Sequence, residues 1–343
     1  MNRNAWSRSR HCFSDNLKSK IQNLKSLGGA FLLAFPLMGG AVVHAQPAKV
    51  GVLHLGGPFT AVVDGLRAGL KELGSVEGKQ YALEIRDLKG DPSAGPAAAQ
   101  QFERDQAKLI YSVTSALTNA VKKATKEIPI VFAVGSDPVA SGLVHSFAQP
   151  GGRLTGVHYL ARDLTGKRLE ILKELLPKLH TIVTFYNPEE QVSMAAAKMC
   201  REEAHRTGIK LVERPVKSAE DVRAALAALK SREVDAFFYL ADAIVVSQAP
   251  TIIDAAKSKR IATMFADRSL VESGALASYG QSYFEIGRVS AKYVKRLLDG
   301  TLPRELRVET MEDVELAINL RTAQELGLKI PTNVLARAGK VVR

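Results

Sequence analysis

Apolar and polar positions alternate between two periods along this chain. Short runs rich in Val, Ile, Leu and Phe, bounded by Gly, Pro, Asn or Asp, mark strands buried on both faces. Between them apolar residues return every three or four positions, the spacing of amphipathic helices. From Lys49 onward the order is regular. A strand over 50–55 leads through Gly56-Gly57-Pro58 into a helix over 59–73, stopped at Gly74. There follow a strand at 81–88, a helix at 97–105, a strand at 108–113, a helix at 116–126 and a strand at 130–134. That last strand breaks at Gly135-Ser136-Asp137-Pro138, and Gln149-Pro150-Gly151-Gly152 cannot continue a helix before Thr155-Gly156-Val157 resumes an extended segment.

A second series then begins. Helices are predicted at 163–176, 192–206, 219–230 and 244–257, alternating with strands at 181–186, 209–213, 236–240 and 261–265. A weak strand at 276–279, a helix at 283–298 and a segment at 306–318 close the pattern. Alternation with short connections predicts parallel strands joined by right-handed helical crossovers, and so an α/β protein of two doubly wound parallel-sheet lobes joined by a multi-crossover hinge. The expected division is 46–158 plus about 280–305 in the first lobe and 159–279 plus about 306–343 in the second.

Residues 1–45 read differently. Met1 to Lys25 carries six Lys or Arg against one Asp, an apolar run follows from Leu27 to Phe35, and Val43-His44-Ala45 places small residues where a signal peptidase reads. A secretory signal cleaved after Ala45 is expected, and with it a periplasmic protein. The full chain has net charge +12; removing the leader's +5 leaves +7, mildly basic, with Lys and Arg at the helical spacings of solvated faces, so nucleic acid is not the expected partner. Cys12 leaves with the leader and Cys200 stays alone in a helical pattern, which excludes a disulfide within one mature chain.

Several short stretches occur in a characteristic order. They include Gly69-Leu70-Lys71-Glu72-Leu73-Gly74, Gly90-Asp91-Pro92, Ile128-Pro129-Ile130-Val131-Phe132-Ala133, Asp137-Pro138-Val139, Gln149-Pro150-Gly151-Gly152 and Gly166-Lys167-Arg168-Leu169-Glu170. Asn187-Pro188, Ala266-Asp267-Arg268-Ser269-Leu270-Val271, Ser278-Tyr279-Gly280 and Ile318-Asn319-Leu320 continue it across nearly the whole chain after the leader. In this order they resemble the ABC-transporter substrate-binding proteins related to tryptophan and tyrosine binders. The resemblance implies the type I periplasmic binding protein fold, with three crossovers, a small-molecule ligand in the cleft, and an ABC permease with its ATPase as partners. It implies an amino acid as ligand, with an aromatic one among the options; a branched-chain amino acid or an unrelated carboxylate fits the same anchors.

Candidate ligand contacts lie where strands end, since open α/β sheets bind ligands at their carboxyl edges. Thr114 and Ser115, between a strand and a helix, offer hydroxyls and free N–H groups to a carboxylate, or simply cap the helix. Ser136 and Asp137 end a buried strand, where Asp137 accepts from an ammonium or hydroxyl or else caps a turn. Asp242 is its counterpart in the second lobe; Tyr186 and Asn187 form a third strand end. Gly56 and Gly57 allow close backbone approach, but they depart from the serine-rich loop frequent in the resembled family, so only backbone contact is expected of them. Phe59, Tyr159, Tyr186 and Tyr279 are the candidate stacking surfaces.

Neither an HExxH motif, a Walker loop nor a GxSxG elbow occurs, and His54 beside Asp137 is the one conceivable acid–base pair. No catalytic residue, cofactor or metal is expected, and the chain reads as a monomeric, non-enzymatic binding protein. A ligand sensor for a membrane receptor is the alternative, with a secreted α/β enzyme behind it.

Overall fold

The computed structural model describes residues 46–343; the leader and its cleavage site lie outside the described residues. The chain opens with β1 (Ala48–His54), α1 (Thr60–Glu72), β2 (Tyr81–Asp87), α2 (Gly95–Arg104), β3 (Leu109–Val113), α3 (Ser115–Ala124), β4 (Ile130–Val134) and β5 (Leu154–Tyr159). It continues through α4 (Thr165–Leu175), β6 (Thr181–Tyr186), α5 (Gln191–Thr207), β7 (Lys210–Pro215), α6 (Ala219–Ala228) and β8 (Ala236–Phe238). Next come α7 (Ala243–Ser247), α8 (Ala249–Ser258), β9 (Ala262–Phe265), α9 (Arg268–Glu272) and β10 (Ala277–Gly280). The chain ends with α10 (Tyr283–Leu298), β11 (Glu309–Met311), β12 (Glu315–Asn319), α11 (Leu320–Leu326), α12 (Thr332–Leu335) and β13 (Lys340–Val342).

The strands form two sheets, ordered β11-β5-β4-β3-β1-β2 and β13-β12-β10-β9-β8-β6-β7. Within each, five successive strands take the order 2-1-3-4-5, all parallel, which is the doubly wound pattern with its topological switch between the first and third strands. β12 is antiparallel to β10. The apolar runs explain which strands are central: every residue of β3, β4 and β5 is buried, whereas β2 and β7, at the sheet edges, are mostly half-exposed.

The polypeptide passes between the sheets after β5, after β10 and after β11. β11 pairs with β5 in the first sheet, so the last passage follows Met311, a few residues beyond the point near 306 that the apolar pattern indicated. The helix expected over 244–257 is two helices, because Pro250 sits in the first turn of α8 and supplies no N–H to α7. α10 follows the last parallel strand of the second sheet yet packs on α1, β4 and β5 of the first. Among the described residues no helix is long and apolar enough to cross a membrane.

Candidate functional site

The carboxyl ends of the two sheets face one another around a small cavity of about 30 Å³. From the first lobe, Thr114 and Ser115 reach it from the β3–α3 junction, Gly135 from the end of β4 and Tyr159 from the end of β5. The second lobe supplies Tyr239 and Asp242 beyond β8, and Glu190 between β6 and α5; Phe59 and Tyr283 complete the wall. The cavity thus lies against the switch point of each sheet, where adjacent crossovers leave to opposite faces and open a crevice.

Thr114 is buried with φ of 87°, a left-handed conformation that β-branched residues strongly disfavour. It caps α3, its Oγ1 accepting from Leu117 N at 3.4 Å, while Ser115 Oγ accepts from Ser136 N at 3.1 Å. The start of α3 is thereby fixed with free backbone N–H groups, a polarity suited to an anion.

The opposite wall is acidic. Asp242 Oδ2 accepts from Asn187 N at 2.6 Å and from Ser193 Oγ at 2.7 Å, and its Oδ1 caps α7 through Val245 N at 2.9 Å. Glu190 turns its carboxyl inward toward Ser193 and the N–H of Ala243. Burial pushes both carboxyls above their ordinary range, and the neighbouring Asp242 charge raises Glu190 further. Asp242 has more donors to hold its charge, so the proton of the pair belongs on Glu190.

Aromatic rings fill the space between. Phe59 and Tyr283 lie 5.1 Å apart between centroids, and Tyr159 meets Tyr283 edge-on at 6.4 Å. Tyr239 exchanges hydrogen bonds with the backbone of Asp242, donating to its carbonyl and accepting from its N–H, each at 3.2 Å. Beneath it the fully buried Arg168 donates to the carbonyls of Tyr279 and Tyr239 at 3.0 and 3.3 Å and lies 5.8 Å from the Tyr239 ring centre, bracing the ends of β8 and β10.

Of the residues expected from sequence, Thr114, Ser115 and Asp242 line the cavity, as do the stacking candidates Phe59 and Tyr159. Ser136 stands directly behind, its N–H on Ser115 Oγ and its buried Oγ without a partner among the described residues. The others serve elsewhere. Asp137 is not at the cavity: its Oδ1 accepts from Val139 N at 2.8 Å and Ala140 N at 3.1 Å, capping its own turn. Asn187 reaches the site only through its N–H to Asp242, its side chain accepting from Glu189 N. Tyr186 faces Arg201, which donates to its hydroxyl at 3.2 Å, and Tyr279 does not line the cavity. Gly57 lies where the lobes meet, since a Cβ there would stand 2.8 Å from the Ser247 carbonyl oxygen, and a Cβ on Gly56 would strike Asp87. His54 accepts through Nδ1 from Gly56 N at 3.0 Å, and burial, against the opposing Asp87 charge, lowers its pKa, so it is a packed neutral histidine.

Sequence reasoning missed Glu190, Tyr239 and Tyr283. Tyr239 falls inside the strand predicted at 236–240, and only the earlier end of β8 at Phe238 frees it for the cavity; Glu190 and Tyr283 stand at helix starts and had no signal beyond that. No group of three or more His, Cys, Asp or Glu side chains that could hold a metal occurs among the described residues. Cys200 is buried and free, its thiol pushed up to about 12 by burial.

A family model described as ABC transporter substrate binding protein matches residues 50–342. The chain belongs to this family. A tyrosine-binding protein of Clostridioides difficile is 28% identical over 266 residues, covering 77% of this chain and 76% of that protein. Among solved structures, the ABC domain in complex with L-Trp from Streptococcus pneumoniae superposes with a TM-score of 0.76 at 26% identity, covering 87% of this chain and all of that one. The ligand-free, open structure of a substrate binding protein with adhesive properties from Clostridium difficile gives 0.58 at 28% identity, covering 86% and 99%. The fold is that of type I periplasmic binding proteins, and the protein is a substrate-binding protein of the ABC transporter family, a family of extracytoplasmic solute binders rather than enzymes.

Proposed function

We propose that this protein is the periplasmic solute-binding component of an ABC importer and that it captures an aromatic amino acid between its lobes. The leader directs export and is cleaved after Ala45, and the mature monomer hands its ligand to a permease driven by an ATPase. The lobes are 46–159 with 281–311 and 160–280 with 312–343, hinged at the three passages between sheets.

The observation that carries this reading is the polarity of the cleft: a helix start with Thr114 and Ser115 on one wall, Glu190 and Asp242 on the other, and Phe59, Tyr159, Tyr239 and Tyr283 between. A zwitterion with an aromatic side chain matches that order, its carboxylate toward α3, its ammonium toward the acidic pair and its ring among the aromatic side chains. Ser136 is placed to supply a further hydroxyl; Gly56, Gly57, Asp137, Tyr186 and Asn187 shape the surrounding loops. The names of the relatives, a tyrosine binder and an L-Trp complex, support the same ligand class.

Closure supports the transport role. At nearly equal identity, the lobes match the L-Trp complex better than the open, ligand-free structure, and a cavity of about 30 Å³ has room for little more than a water. An amino acid therefore enters only when the lobes part, and contact with both lobes then favours the closed form. Titration calorimetry and thermal shift with L-tyrosine, L-tryptophan and L-phenylalanine, set against L-leucine and simple carboxylates, test the assignment. Ligand at 100 times its dissociation constant adds about 2.7 kcal/mol to the folded state. Saturable binding of an aromatic amino acid recovered unchanged is expected; binding only to another class, or chemical conversion, overturns it.

A further inference from the structure

A cavity far larger than that of the cleft lies elsewhere in the molecule. A groove of about 610 Å³ lies at the opposite, amino-terminal edge of the second sheet, where Leu179, Val234 and Ala262 stand at the starts of β6, β8 and β9. Its floor is aliphatic: Leu176, Leu179, Val234 and Ala262 are buried, and Leu326 and Leu328 half-buried. No aromatic side chain lines it. Four exposed cations, Lys178, Arg232, Arg260 and Lys329, stand around this floor. By contrast Lys257, three residues before Arg260, pairs with Glu325 beside Leu326. None of the four has a carboxylate within 4.0 Å among the described residues. The one acid in the groove, Asp235, is tied down by the N–H groups of His180 and Thr181, both at 2.8 Å.

The backbone adds an independent sign. Arg232 and Arg260 both hold positive φ, 60° and 56°. After α5 and α11 the left-handed residue is Gly208 or Gly327, which takes that conformation without strain. Two of the five non-glycine residues at positive φ among the described residues are thus arginines on one groove, each holding a cation at a position whose backbone favours glycine.

We propose that this groove is a second ligand site, separate from the cleft, for a free fatty carboxylate. Its volume is that of a small-molecule pocket, its aliphatic floor takes an unbranched hydrocarbon chain, and the unpaired cations at the rim take the carboxylate. An aromatic zwitterion finds neither a stacking surface nor a free acid here, so the site is distinct in chemistry as well as in place.

Titration of the purified protein with sodium decanoate, below its micelle concentration, tests this, with decanol and vesicles of phosphatidylglycerol as further arms. Saturable one-to-one decanoate binding is expected, at least tenfold tighter than decanol, unchanged in Asp242→Ala and weakened at least tenfold in the double variant Arg232→Gly, Arg260→Gly. Because glycine relaxes both left-handed positions, that variant melts at the same or a higher temperature, which separates lost binding from lost folding. Absence of decanoate binding, equal binding of decanol, adsorption to vesicles in place of free decanoate, or loss of binding in Asp242→Ala instead of the arginine variant overturns the proposal.

Discussion

Glu190 and Asp242 converge on one hydroxyl: Ser193 Oγ lies 3.1 Å from Oε2 of Glu190 and 2.7 Å from Oδ2 of Asp242. A hydroxyl has one proton to give, and the shorter contact, to the carboxylate held by more donors, takes it. Protonated Glu190 then donates to Ser193, and a single negative charge is shared along the chain Glu190, Ser193, Asp242.

With an ammonium placed as proposed, this arrangement should make ligand capture proton-linked. The Glu190 carboxyl titrates above its unfolded value of about 4.3, so the folded apo protein binds the extra proton. The stability this contributes is fully present below the unfolded value and is lost as pH rises through the raised one. The apo melting temperature should therefore fall as pH rises from about 4.3 toward the raised value. An incoming ammonium displaces the proton, so binding should release protons at mildly acidic pH and tighten as pH rises. Calorimetry in buffers of different ionisation enthalpy reads the release, and Glu190→Gln should abolish it. Equal heats in all buffers for the native protein would remove Glu190 from the ligand's reach.

Thr114→Gly should separate folding from binding. The native residue holds φ of 87°, which costs a β-branched side chain on the order of 1–3 kcal/mol, whereas glycine adopts it freely and caps a helix only a few tenths of a kcal/mol less well. Urea unfolding should show the variant more stable by about 1 kcal/mol, the strain relieved less the packing lost. Ligand affinity should fall with loss of the hydroxyl at the start of α3. A variant that is both destabilised and fully binding would mean that Thr114 is an ordinary cap.

Asp137→Ala should leave ligand affinity close to native. Its carboxylate serves Val139 and Ala140, so the loss is that of a turn cap, about 1 kcal/mol of stability. Calorimetric affinity weakened tenfold or more would place Asp137 in the site after all.

The alternation of strands and helices was legible because each apolar run had only one period to follow, and the two-lobed parallel architecture came with it. The site was legible only where position along the chain settles it. Thr114, Ser115 and Asp242 follow strands at the edge that faces the cavity. Asp137 also follows a strand, yet two N–H groups within its own turn claim its carboxylate, and such local competition leaves no trace in periodicity. Glu190 was illegible for the opposite reason. One of two adjacent glutamates before a helix reads as a solvated cap, and what turns it inward is the junction of β8 and α7, more than fifty residues away.

The return of α10 to the first lobe rests on a reciprocal contact. A Cβ on Gly287 would stand 1.9 Å from the Val62 carbonyl oxygen of α1, and a Cβ on Gly65 of α1 would stand 1.9 Å from the Phe284 carbonyl oxygen of α10. Both obstacles are backbone atoms of helices packed on the same sheet and cannot rotate aside. Gly287→Ala should therefore cost about 3 kcal/mol, the upper part of the range for an added core methyl, with an unchanged urea m-value. Because the helices part once to admit either methyl, the double variant Gly65→Ala, Gly287→Ala should cost less than the sum of the two singles. The same displacement reaches the cleft, since α10 begins at Tyr283, so Gly287→Ala should also weaken binding while Asp137→Ala does not. A Gly287→Ala protein with native stability would mean that the two helices are further apart than this contact requires.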